Sequence, residues 1–121
     1  MLPLTLCQKI EMKKILLIAT SLLSVTTFAG SVDSGLQKLD KEIKGLKSEL
    51  NTQYKKAYSQ TEAKQELDNS QKAWLKYKEL QCGDFVVADT EGSPATVEYD
   101  LTCQSILYKQ RIAFLKEMFR Q

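Results

Sequence analysis

The sequence predicts an all-α fold, an antiparallel three-helix bundle closed by one interhelical disulfide, and three observations carry that prediction. Beyond residue 29 the chain holds one Pro and five Gly, which is little punctuation and favours long helices. Apolar residues recur at steps of three and four in three stretches, the period of an amphipathic helix. Two cysteines, Cys82 and Cys103, lie ten residues to either side of the Gly92-Ser93 step, where the turn residues cluster.

The first 29 residues read as a leader rather than as part of the fold. Met12-Lys13-Lys14 is a basic start, Ile15 to Val25 an apolar run, and Thr27 and Ala29 the small residues of a cleavage site. This is the layout of a secretory signal peptide, and the run is shorter than the roughly 20 residues that span a bilayer. Met12 is the expected start, with residues 1–11 an over-extended reading frame. Cys7 lacks the preceding apolar run that a lipoprotein cysteine needs, so no membrane anchor is expected in the mature chain. The expected product is a single domain of residues 30–121, periplasmic or secreted.

Helix 1 is expected to open at Ser34, with Gln37 completing a capping box. Leu36, Leu39, Ile43, Leu46 and Leu50 then form a heptad-like seam, extended by Tyr54, Ala57 and Tyr58. Gly45 lies off the seam and suggests a close helix approach. A second capping box, Ser59 with Glu62, places a turn near residues 58–62. Helix 2 carries Leu67, Trp74, Tyr77, Gln81, Phe85 and Ala88 near one face. Gly92 can end it, Ser93 can cap the next helix, and Pro94 suits that helix's first turn. Helix 3 shows Val97, Leu101, Tyr108, Ile112, Leu115 and Phe119 at helical steps and runs nearly to the C-terminus.

If helices 2 and 3 form an antiparallel hairpin about Gly92-Ser93, each cysteine stands about 15 Å from the turn. The two are then level and able to bridge. An even pair in an exported chain reads as a disulfide, and no CxxC redox or zinc spacing is present.

Composition narrows the function. The chain has no His, so the commonest general base and metal ligand is missing. There is no GxSxG, no phosphate-cradling Gly loop and no Cys partnered by a base. The reading is therefore no catalytic residue, no metal, no cofactor and no enzyme. Asp89-Thr90-Glu91-Gly92 lacks the ligand spacing of a Ca²⁺ loop. The formal net charge of +2 is too small to imply nucleic acid, and the surplus lies in the leader. Residues 30–121 carry 14 basic and 14 acidic side chains. These are segregated. Between Lys78 and Lys109 there is no basic residue, while Glu79, Asp84, Asp89, Glu91, Glu98 and Asp100 are all acidic. This stretch is the tip of the predicted hairpin. It reads either as a solvated loop or as a docking end for a cationic partner, with Asp84, Asp89, Glu91, Glu98 and Asp100 as the candidate contacts. Trp74, Tyr77 and Phe85 read as core packing, with a hydrophobic recognition patch as the alternative. Lys78 and Arg111 are candidate semi-buried ion partners of Glu79 or Asp100.

The segment from Leu50 onward carries Leu50-Asn51-x-x-Tyr54, then Gln71-x-x-Trp74-x-x-Tyr77-Lys78-x-x-x-Cys82, then Glu91-Gly92-Ser93, Cys103 and Arg111-x-x-x-Leu115. It resembles the LprI-like lysozyme inhibitor family over Leu50 to Arg120. The resemblance implies a small exported helical domain that binds a protein. In it, Leu50, Asn51, Tyr54, Gln71, Trp74, Tyr77, Lys78 and Arg111 are family-motif positions of structural role. The chain departs from the family in lacking an extra N-terminal Cys pair, in having Glu91 where Gly is usual, and in having Lys78 where Arg is frequent. The expected partner is a cationic lysozyme or another cell-wall hydrolase, blocked by occlusion. Animal-type lysozymes are basic proteins whose cleft relies on carboxylates, so an acidic tip would meet their rim rather than mimic a cation in the cleft. Two other readings use the same residues: a structural envelope component whose helix 1 seam pairs in a homo-oligomer, or an immunity protein against a delivered toxin.

Overall fold

The computed structural model describes residues 33–120, which are helical apart from two connections and contain no strand. The expected leader, its cleavage site and the Met12 start lie outside the described residues. The chain divides into two units, Met1–Leu36 and Gln37–Gln121. The core, the disulfide and the clefts described below belong to the second unit.

Helix α1 occupies residues 33–60 among those described. Ser34 therefore lies within the helix, not at an N-cap. Ile43, Leu50 and Ala57, one heptad apart, are its buried residues, at 3%, 3% and 0% exposure. Leu46 and Tyr54 pack beside them. Tyr58, expected to extend the seam, is exposed. It lies against Tyr54, with ring centroids 6.0 Å apart, and under Lys64 Nζ, 5.6 Å from its ring centroid. A Cβ built on Gly45 meets nothing within 4 Å, so this glycine permits no close helix approach.

The first connection falls later than the Ser59 and Glu62 pair suggests. The Ser59 hydroxyl donates back to the Lys56 carbonyl inside α1. The chain turns at 61–63, where the Thr61 amide reaches the Ala57 carbonyl and Thr61 Oγ1 accepts from the Ala63 amide. Helix α2, Lys64–Lys78, follows. It passes into a π-helical segment, Glu79–Phe85, and then into the short α3, Val86–Asp89.

The predicted face of helix 2 holds only in part, with Leu67, Trp74 and Gln81 partly buried. Tyr77, Phe85 and Ala88 are exposed, Tyr77 by 51% and Phe85 by 56%. Leu67, Gln71, Trp74, Lys78, Cys82 and Val86 form the line of less exposed positions, with Asp68, Gln81 and Gly83 partly buried beside it. In a regular α-helix each four-residue step overshoots the turn by about 40°, so three such steps would carry Val86 off the face that Trp74 starts. The wider π turn takes up the excess and keeps Lys78, Cys82 and Val86 in line.

The second connection is built by Thr90 and two left-handed residues, Glu91 (φ 52°) and Gly92 (φ 64°). Thr90 Oγ1 donates to the Val86 carbonyl at 2.7 Å and lies 2.6 Å from Thr96 Oγ1. Having given its proton to Val86, it accepts from Thr96, which ties the end of α3 to the start of the last helix. Helix α4 is Thr96–Met118, with Ala95 at its N-cap. Ser93 thus contributes its carbonyl, which accepts from the Thr96 amide, rather than a side-chain cap. Tyr108, Ile112 and Leu115 of α4 close the core against Ile43, Leu50 and Ala57, with Leu67, Trp74, Leu101 and Phe119 packed around them. Val97 is exposed instead.

Cys82 and Cys103 form the expected disulfide, with Cα atoms 5.5 Å apart. Along α2 and α4 the partners run in opposite senses: Gln71 with Arg111, Trp74 with Tyr108, Cys82 with Cys103. Along α1 and α4 they run in the same sense. Glu42 accepts from Ser105 and pairs with Lys109, and Glu49 pairs with Lys116.

Two substitutions test this architecture. Cys82→Ser with Cys103→Ser should lower unfolding stability by about 3 kcal/mol, the chain-entropy value for a loop near this size, read from urea midpoints of the oxidised and variant proteins. Gly45→Ala should raise stability by about 1 kcal/mol, because Ala is the better helix former and the space beside it is open.

Candidate functional site

The hairpin end formed by the π segment, α3, the 90–95 connection and the first turns of α4 holds the five predicted contact residues. Asp84, Asp89, Glu91 and Glu98 are exposed and Asp100 is half-buried. Asp84 and Asp100 line one cleft of about 310 Å³, together with Lys78, Glu79, Cys82, Gly83 and Gln104. Asp89 lines another, of about 410 Å³, with Val86, Thr90, Ser93 and Tyr99. Glu91 sits at the left-handed turn. Among the described residues none of the six carboxylates from Glu79 to Asp100 takes part in an ion pair. Asp100 accepts from Gln104 Nε2 at 3.0 Å through one oxygen, and its other oxygen, Oδ1, is buried with no partner.

Sequence reasoning misses the apolar half of this end. Leu80, Phe85, Val87, Val97 and Tyr99 are all exposed by 47–60%. A regular helical period puts Phe85 and Val97 on core faces, and the phase change of the π segment explains why Phe85 is not there. Acidic side chains thus alternate with large exposed apolar ones over a single end of the domain.

The ion partners expected for Lys78 and Arg111 are replaced by others. Lys78 Nζ stands 5.4 Å from the centroid of the Tyr108 ring. Arg111, 9% exposed, donates through Nε to Gln71 Oε1 and through Nη2 to Ser70 Oγ, both at 3.1 Å. Glu79 and Asp100 lie with Lys78 along the cleft beside the disulfide and do not reach Arg111. Of the other motif positions, Leu50 is in the core and Trp74 meets Tyr108 edge-on at 5.5 Å. Tyr54 donates to Asp68 Oδ1 at 2.5 Å, tying α1 to α2. Asn51 is exposed, and nothing in the structure explains its place in the motif.

Two pairings between helices perturb titration. Asp68 accepts the Tyr54 hydrogen bond, which pushes the phenol up to about 12, with burial adding to the effect. The same bond, with Lys72 nearby, holds the Asp68 carboxyl below its ordinary value. Glu42 is likewise lowered, by its bonds with Lys109 and Ser105.

Among the described residues no helix is long and apolar enough to cross a membrane. Nor is any group of three or more His, Cys, Asp or Glu placed to hold a metal ion there. The chain matches the model of the protein family described as "Lysozyme inhibitor LprI" over residues 30–115. This match includes residues 33–49 of α1, which the motif resemblance from Leu50 onward does not reach. Neither a curated protein nor a solved structure matches the chain.

The Tyr54–Asp68 bond gives a signed pH prediction. A phenol whose folded pKa exceeds its unfolded one stabilises the fold fully below the unfolded value near 10, and that contribution is lost as pH rises through about 12. The lowered carboxyls of Asp68 and Glu42 stabilise above the ordinary carboxylate range and lose their contribution as pH falls through their folded values. In ultraviolet titration of the five tyrosines, Asp68→Asn should shift Tyr54 out of the most alkaline step toward the ordinary phenol range.

Proposed function

The chain belongs to the lysozyme inhibitor LprI family, and from that premise we propose that residues 30–121 act after export as a stoichiometric inhibitor of a basic, lysozyme-type cell-wall hydrolase, engaged by the hairpin end. One observation carries the reading: this end joins six carboxylates, with Lys78 the one cation lining their cleft, to five large exposed apolar side chains. Scattered surface hydrophobics need no explanation, whereas a concentration of them rimmed by polar groups marks an interaction surface. Phe85 and Tyr99 are the anchors of the kind that dominate protein interfaces. The carboxylates supply long-range attraction to a basic surface and exclude acidic partners. The disulfide behind them fixes the surface before contact, which lowers the ordering cost of binding.

Inhibition of this kind asks no chemistry of the inhibitor. A glycosidase needs its substrate between two carboxyl groups, and a rigid body seated on the cleft rim blocks that access. Export is supported by the basic–apolar–small pattern before Gly30 and by the family match, which begins at the residue that cleavage after Ala29 would leave first. The α1 seam that suggests oligomerisation is covered within the chain, since Ile43, Leu50 and Ala57 are buried against α4.

The test is turbidimetric lysis of peptidoglycan by basic and endogenous muramidases with the oxidised 30–121 protein. Inhibition at a one-to-one ratio is expected. The triple change Asp84→Lys, Asp89→Lys, Glu91→Lys should slow association by about tenfold or more and flatten its salt dependence. Phe85→Ala with Tyr99→Ala should act mainly on dissociation. Muramidases left fully active at micromolar excess would refute the reading.

A further inference from the structure

Away from the hairpin end, α2 and α4 enclose a second feature that the inhibitor reading does not use. Arg111 is nine-tenths buried and carries a charge that no carboxylate among the described residues neutralises. Its two hydrogen-bond partners, Gln71 Oε1 and Ser70 Oγ, are neutral. Asp68 of α2 holds Tyr54 and Lys72, and Glu79, at the start of the π segment, lines the cleft beside the disulfide. Burial pulls the Arg111 guanidinium below its ordinary value, yet an arginine stays charged in proteins. A buried cation without a counter-ion is a costly arrangement.

The same guanidinium faces a surface cleft of about 240 Å³ lined by Trp74, Tyr77, Leu107, Gln110, Arg111 and Phe114. Tyr77 and Phe114 stand half-exposed at its rim, and the guanidinium carbon lies 5.4 Å from the Phe114 ring centroid. Nε and Nη2 are fixed from behind by Gln71 and Ser70. A charged donor thus stands pre-oriented in a largely aromatic cleft, stacked on Phe114 and paired with no carboxylate of the described residues. Such a site selects a ligand with a carboxylate for the arginine and an apolar body for the rim.

We propose that this cleft binds a small monocarboxylate bearing an apolar group of side-chain size, either a free acid or the C-terminal residue of a peptide, with its carboxylate on Arg111 and its apolar group between Tyr77 and Phe114. The site is independent of the hairpin end and of the inhibitor reading.

Trp74 is the chain's single tryptophan and lines the cleft, so its indole N–H reports occupancy without ambiguity. The ¹⁵N-labelled, oxidised protein is titrated with N-acetyl-L-phenylalanine, with 3-phenylpropionate and with N-acetyl-L-phenylalanine amide. The acids should shift the Trp74 indole and Arg111 Nε cross-peaks saturably, and the uncharged amide should not. Shifts from both acids identify free acids as sufficient; shifts from the acetylated amino acid alone identify a peptide terminus. Arg111→Lys should raise Kd by about tenfold, the loss expected for a charge-assisted fork. Tyr77→Ser, at an exposed position, should weaken binding several-fold with an unchanged circular dichroism spectrum, which keeps the test valid if Arg111→Lys does not fold. No shift with either acid, or equal shifts with the amide, overturns the proposal.

Discussion

The Cys82–Cys103 bridge is the constraint on which the α2–α4 hairpin depends, because α2 buries no side chain completely. Core formation between α1 and α4 is self-sufficient in pattern: Ile43, Leu50 and Ala57 meet Tyr108, Ile112 and Leu115. The middle helix has no comparable stripe. It holds to the core through Leu67 and Trp74, both only partly buried, through the Arg111 bonds to Gln71 and Ser70, and through the Tyr54–Asp68 bond. Polar clasps of this kind contribute about 1 kcal/mol each. Small domains bury a limited fraction of their surface, so a covalent tie near the far end of the hairpin replaces apolar burial that the sequence does not supply.

That substitution explains why the hairpin end can be apolar and exposed together. Where a core seam holds a helix, its large apolar residues are drawn inward. Beyond Trp74 the inward line is Lys78, Cys82 and Val86, and of these Cys82 alone is fully buried. Phe85, Val87, Val97 and Tyr99 are thereby left outside. The π segment and the disulfide act together in this: the widened turn brings Cys82 onto the line that faces α4, and the bridge holds it there.

Much of this fold is legible in the chain, and the illegible parts are the ones where local geometry departs from a regular period or a charge rule. The α1 and α4 seams follow a heptad closely, so Ile43, Leu50, Tyr108, Ile112 and Leu115 declare their burial through spacing alone. The disulfide follows from distances to the Gly92-Ser93 step. Phe85 escapes because 3.6 residues per turn does not hold through Glu79–Phe85, and a π turn carries no propensity signature to reveal it. Tyr77 lies in the regular α2, at the edge of the Trp74 line opposite Lys78, and helical period alone does not tell which edge of a stripe turns inward. The caps at Ser34 and Ser59 fail because a serine followed by Glu or Gln at the third place also occurs inside helices, where its hydroxyl can bond to the preceding turn as that of Ser59 does. At Arg111 the residue is visible in the sequence but its environment is not. Its partners are a serine and a glutamine forty residues distant, and pairing rules based on charge look only for carboxylates.

The formal charge of +2 describes none of the surfaces that result. On the α1–α4 face, Glu42 and Glu49 pair with Lys109 and Lys116, seven residues apart on α4, so charge there cancels within contact distance. Exposed pairs of this kind add little to stability, and each adds no net charge to that face. At the hairpin end the flanking lysines in the chain are Lys78, which stands over the Tyr108 ring, and Lys109, which is occupied by Glu42. With the Debye length near 8 Å at physiological salt, charge that is neutralised elsewhere on the domain does not screen those carboxylates. The α2–α4 cleft presents the opposite case, a single cation shielded from solvent by aromatic side chains. Net neutrality of residues 30–121 is thus compatible with an acidic end and a buried cation that take part in no ion pair among the described residues.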